Sequence, residues 1–204
     1  SGALQLLLIA LPAIGSAACA RSQSGLPASA GHQPLDPAWG AVLPDSAAAA
    51  MIRDAAPLDP AESWKRLWTP DRMHLDRLEA QLPAVLSRTF ERVILEHRVV
   101  PVPAAAYYRQ YAGFQDTLRQ RFIYVRGVHH RVADIFEDTF AQQRAETPGL
   151  DAMLPPGPRW RWSYYSITHG GIHIFGVVYD VERDTFDPVV FANRWAGRVL
   201  MGTP

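Results

Sequence analysis

Cysteine is nearly missing from this chain: Cys19 is the only one in 204 residues, so no intrachain disulfide is possible and stability must come from packing. Lysine is scarcer than chance as well, Lys65 standing alone while arginine supplies the rest of the 20 basic residues. These are balanced by 20 acidic residues, for a formal net charge of zero. With no whole-chain field to concentrate DNA or RNA, no nucleic-acid partner is expected. No paired-cysteine spacing, no His-Glu-x-x-His on a helix, no G-x-S-x-G elbow and no GxxxxGK[ST] loop occurs. The zinc, serine-nucleophile and phosphate-cradling chemistries that use those motifs lack their usual signature.

What is present begins with Ala3–Ile14, an uncharged and almost wholly apolar run followed by the small residues Gly15-Ser16-Ala17-Ala18. It is shorter than the roughly 20 residues that span a bilayer and contains Pro12, so it reads as the apolar core of an export signal with its cleavage site. Cys19 follows immediately, where a bacterial lipoprotein carries its lipidated thiol. Ala17 and Ala18 fit that pattern, whereas Ser16 stands where a branched aliphatic residue is usual. The reading is therefore a leader over 1–19, with Cys19 either the lipid anchor or removed near it. Residues 20–44, rich in Ser, Gly, Pro and Ala, then form a flexible tether, and 45–204 a single domain.

Within that domain, Asp45-Ser46 caps a short alanine-rich helix, and Thr69-Pro70 opens a second through Met73, Leu75, Leu78 and Leu82. Pro83 either kinks it or starts another through Leu86, Phe90 and Ile94. From Tyr107 the pattern turns to strands, at 107–111, 122–128, 159–168, 172–180 and 186–191, with a helix over 131–144. Helices first and sequential strands later predict an α+β fold, with N-terminal helices on one face of a mostly antiparallel sheet of about four to five strands.

The stretch 168–175, THGGIHIF, places two histidines around a glycine pair. With strand-like residues on both sides, Gly170-Gly171 reads as a hairpin turn. His129, His130, His169 and His173 all fall near strand ends, and His129, His169 and His173 are the candidate metal ligands, with Asp180 or Glu182 as an oxygen donor. Adjacent strand residues point to opposite faces, however, so His129 and His130 share a centre only if a bulge or turn intervenes. Hydrogen-bonded histidines without a metal are the simpler expectation.

Trp160, Trp162, Tyr164 and Tyr165 could offer a stacking face to a sugar or peptide, since 160, 162 and 164 share one side of a strand. Core packing under the N-terminal helices is favoured over that use. Glu137, Asp138, Asp180, Glu182 and Asp184 contain no evident acid/base pair, and 182–184 reads as a solvated hairpin tip.

Tyr108-Arg109-Gln110-Tyr111, Ile123-Tyr124-Val125, the tryptophans, Gly170-Gly171, Phe175, Tyr179-Asp180, Phe186 and Phe191-Ala192-Asn193 together resemble a group of small exported proteobacterial proteins, many of them predicted lipoproteins. The resemblance covers about residues 64 to 197. His169, Arg126 and Arg194 stand where that group commonly has Asp, Asn and Gly. The group has no assigned activity, so the resemblance implies export and a single α+β domain, not a substrate. The expectation is a periplasmic or outer-membrane-attached envelope protein whose domain, without cofactor, binds an envelope partner or small ligand. A metal-dependent envelope hydrolase using the histidines is the alternative.

Overall fold

The computed structural model describes residues 40–54, 64–97, 101–167, 170–192 and 200–201. The leader, Cys19, most of the tether, Thr168 and His169 lie outside the described residues.

The α+β class holds. The strands are β1 (Gly40–Val42), β2 (Arg66–Trp68), β3 (Tyr107–Gln115), β4 (Arg121–His129), β5 (Gly171–Asp180), β6 (Thr185–Phe186), β7 (Val190–Ala192) and β8 (Leu200–Met201). They form one sheet in the order β1-β3-β4-β5-β7-β8, with β2 added to β3 and β6 to β5. All described pairings are antiparallel except β1 with β3. The helices are α1 (Asp45–Asp54), α2 (Arg72–His97), α3 (His130–Glu146) and the single turn α4 (Leu150–Met153).

Alternation along the strands divides the core in two. Tyr107, Tyr111, Ile123, Val125, Phe175, Val177 and Tyr179 face α2, whose Leu75, Leu78, Leu82, Leu86 and Phe90 recur at helical spacing. Each such buried side chain is worth about 1.5–3 kcal/mol of removed apolar surface. Tyr111 donates its hydroxyl to Glu79 of α2 at 2.5 Å, and Arg109 pairs with the same carboxylate at 3.0 Å, tying helix to sheet. On the opposite face, Ala112, Phe114, Phe122, Tyr124 and Val178 meet Ala48, Met51 and Ile52 of α1. Val128 lies there too, beneath Ala133 of α3 together with Trp160 and Tyr165. The long helix thus covers one face, while α1 and α3 cover the other.

Several boundaries differ from expectation for local reasons. β1 falls inside the stretch that composition assigned to the tether: Gly40, Ala41 and Val42 pair with Arg109–Tyr111, and Leu43 is only 3% exposed. Three small apolar residues give too little periodicity to be seen. α2 starts at Arg72 and is capped by Asp71, whose carboxylate accepts the backbone N–H of His74 at 3.0 Å, not by Thr69. It continues through Pro83, which sits on its exposed side. The final predicted strand is split into β6 and β7 around Pro188, which has no N–H to donate to a ladder.

The largest correction concerns 159–168. Its described part, 159–167, is not a strand: Arg159–Arg161 form a 3-10 turn entered through Pro158, and 162–167 run without regular pairing. The run Pro155-Pro156-Gly157-Pro158 and the carboxylate of Glu137 account for this. Glu137 accepts the backbone N–H groups of Arg159 and Trp160, each at 2.9 Å, and so supplies the partners a sheet would otherwise provide. Gly170-Gly171 is consequently not a hairpin turn between two strands. Gly171, at φ +51°, begins β5 in the left-handed region that glycine tolerates, and pairs with Ala192 of β7.

Candidate functional site

His129 of β4, His130 at the start of α3 and His173 of β5 come together at one end of the sheet, while His169 lies outside the described residues. The β4–β5 ladder ends at Val128 opposite Ile174, so His129 and His173 are the next residues across from each other. Their rings meet edge to face at 5.1 Å. Tyr107, paired with His129 on the other side, extends the row with a second edge-to-face contact at 5.7 Å. A register shift in β5 between Gly171 and Phe175 accompanies this row, a common device for re-aiming a side chain.

His130 joins the row because β4 stops at His129 and α3 starts at His130. The change from strand to helix cancels the alternation that would have sent the two rings apart, and their centroids lie 4.4 Å apart. His129 is the N-cap of α3: at φ −55°, ψ 133° it is outside the helix, and its Nδ1 accepts the N–H of Arg131 at 3.2 Å. His130 Nδ1 lies 3.0 Å from the Ala106 carbonyl, an acceptor, so that nitrogen carries its proton. Burial lowers the basicity of His129, and the neighbouring His130, His173 and Arg131 push it the same way, against Asp134. Tyr107 donates its hydroxyl to the Ile172 carbonyl at 2.6 Å, and burial pushes that phenol well above its ordinary range.

Among the described residues, no group of three or more His, Cys, Asp or Glu side chains is arranged to hold a metal ion. The candidate oxygen donors are remote. Asp180 pairs with Phe122 at the far end of β5, six residues of strand from Ile174 and so about 20 Å away. There it accepts the N–H groups of Glu182 and Arg183 at 3.0 and 2.9 Å and shapes the turn 181–184. Glu182 accepts from Arg121 at 2.8 Å; burial raises its carboxyl, but the Arg121 hydrogen bonds outweigh this and hold it below its usual range. Asp184, at the exposed tip, is held low by hydrogen bonds from Tyr179 and then Gln81. The expected solvated hairpin tip is what these carboxylates build.

The aromatic cluster is core in the main. Trp160 is 4% exposed and stacks on Tyr108 at 4.7 Å, and Tyr165 donates its hydroxyl to Glu137. Trp162 meets Phe140 of α3, and Tyr164 packs beside the α1 core. The rings therefore lie mostly under α3, and 160, 162 and 164 present no common strand face.

Sequence reading missed a second polar group, on the α1 and α3 face. Gln110 and Arg126 are direct cross-strand neighbours, 1% and 8% exposed. Gln110 donates to the carbonyls of Trp160 and Ser163, at 2.6 and 2.8 Å, and Arg126 donates to that of Ile167 at 2.9 Å while lying over the Tyr164 ring. Asp54 of α1 accepts the hydroxyls of Tyr164 and Ser166. Together they fasten the irregular segment 160–167 to the sheet. The available signal was a polar residue at an even position of each otherwise apolar strand. No protein-family model, no curated protein and no solved structure matches this chain.

Proposed function

We propose that this chain is a bacterial cell-envelope protein, exported by its leader and held at a membrane through lipidated Cys19. Its α+β domain works by binding an envelope protein or small ligand rather than by catalysis. The observation that carries the reading is the succession of Ala3–Ile14, small residues, Cys19 and a Ser/Gly/Pro/Ala stretch ahead of the domain. A domain fixed at a membrane needs slack to reach past its surroundings. No helix among the described residues is long and apolar enough to cross a membrane, so an anchor elsewhere in the chain suits this reading. Further support comes from the titratable groups, since Glu137, Asp180, Glu182 and Asp184 are each taken up in hydrogen bonds that hold turns. The competing metal-dependent hydrolase, built on His129, His169 and His173, draws on the meeting of the His129 and His173 rings. Against it stands the use of His129 Nδ1 as a helix cap.

The test is expression of the precursor in a Gram-negative host fed a labelled fatty acid, followed by fractionation. Incorporated label in the membrane fraction, lost in Cys19→Ser, is the expected result. An unlabelled protein retained in the cytosol would overturn the proposal.

A further inference from the structure

We propose that His129 is an acid-sensitive catch: neutral, it locks the start of α3 onto the sheet, and protonated, it loosens α3 from the sheet.

The geometry makes the lock depend on one lone pair. Nδ1 of His129 serves the Arg131 N–H only while it is unprotonated, so the capping tautomer carries its hydrogen on Nε2. A proton on Nδ1 sets two donors against each other and puts a positive charge at a helix N-terminus, where the helix dipole already concentrates positive potential. No described neighbour relieves this fully. From α3 the ring faces His130, Arg131 and Asp134; from β5 it faces His173; from β3 it faces Tyr107, whose hydroxyl proton is committed to Ile172. Asp134 is the single acidic group in that set, and His130, His173 and Arg131 all act against it.

The element under the catch is built to move separately. α3 buries Ala133 and Phe140, and meets the sheet through the small cluster of Ala41, Val128, Trp160 and Tyr165, apart from the two larger cores under α2 and α1. Glu137 ties α3 to the 159–161 turn, while Gln110 holds that turn to the sheet, so loosening of α3 works against the Glu137 bonds alone. Loosening uncovers Val128 and the outer side of Trp160, an apolar surface that Ala133 of α3 helps to close.

The sign follows from the lowered basicity of His129. The closed form binds fewer protons than the open one, so closure is fully favoured above the ordinary histidine value near 6.5 and weakens as pH falls below it. The opening constant of α3 then rises by up to about tenfold per pH unit until the closed form itself titrates.

The experiment is residue-resolved amide hydrogen exchange on the intact chain from about pH 7 to about pH 5. Protection factors are corrected for the intrinsic pH dependence of exchange. Arg131 to Phe140 should lose protection selectively as pH falls, with β3, β4 and α2 unchanged. His129→Asn, which keeps a capping side chain but does not titrate, should make α3 protection independent of pH in this window. Because that variant also removes a ring from the row, His130→Gln with His173→Gln provides a second check. It leaves the cap intact, removes two of the neighbours that lower the basicity of His129, and should shrink the pH dependence. PH-independent α3 protection in the wild type, an undiminished dependence in His129→Asn, or loss of protection across the whole sheet in step would each overturn the proposal.

Discussion

Phe175 lies flat across Gly127, its direct cross-strand partner, so closely that a Cβ on Gly127 would sit 1.9 Å from Cε1 of the ring. The glycine is thus a packing requirement in the middle of β4, where it would otherwise only weaken the strand. Gly127→Ala is expected to cost about 3 kcal/mol, because the ring is fully buried and cannot withdraw. Chemical denaturation checks this. A smaller residue at 175 should relieve part of the cost, so Gly127→Ala with Phe175→Leu should be less destabilised than the sum of the single changes.

Glu137 is the organiser of the segment that sequence reading took for a strand. Both of its oxygens accept backbone N–H groups of the 159–161 turn. Glu137→Ala leaves those donors without a partner in a half-buried place, at about 3 kcal/mol, while Glu137→Gln, keeping one acceptor, should cost about half as much. Near-ultraviolet circular dichroism should report the loss through Trp160 of the turn and Tyr165, which shares its apolar cluster.

A domain begun at Asp45, where composition suggests the fold starts, lacks β1. It would lose the burial of Leu43, the Ala41 contact with Trp160, and the bond from the Leu43 N–H to the Tyr111 carbonyl. Compared with a chain begun at Asp36, its stability should fall by about 3 kcal/mol. Thermal melts of the two fragments measure the difference.

How much of this was legible differs by element. α2 was readable because Leu75, Leu78, Leu82 and Phe90 repeat at helical spacing, and β3, β4 and β5 because their aromatic and β-branched residues cluster. The class of fold followed from those elements alone. Residues 159–168 carried the same composition and were misread, since their backbone partners are a helix carboxylate and two sheet side chains, Gln110 and Arg126, and neither can be inferred from local pattern. The histidine row depended on where β4 gives way to α3. That boundary, one residue wide between His129 and His130, decides whether two adjacent rings diverge or meet.

The histidines at the end of the sheet are capped and stacked imidazoles, and we propose that they do not serve as the ligands of a hydrolytic metal centre. Elemental analysis of the domain from Asp36 onward, purified without a metal-binding tag, tests it most directly, and it also samples His169. The expected result is no stoichiometric metal and a melting temperature unchanged by a chelator. Stoichiometric zinc, manganese or iron, lost in both His169→Ala and His173→Ala, would contradict it.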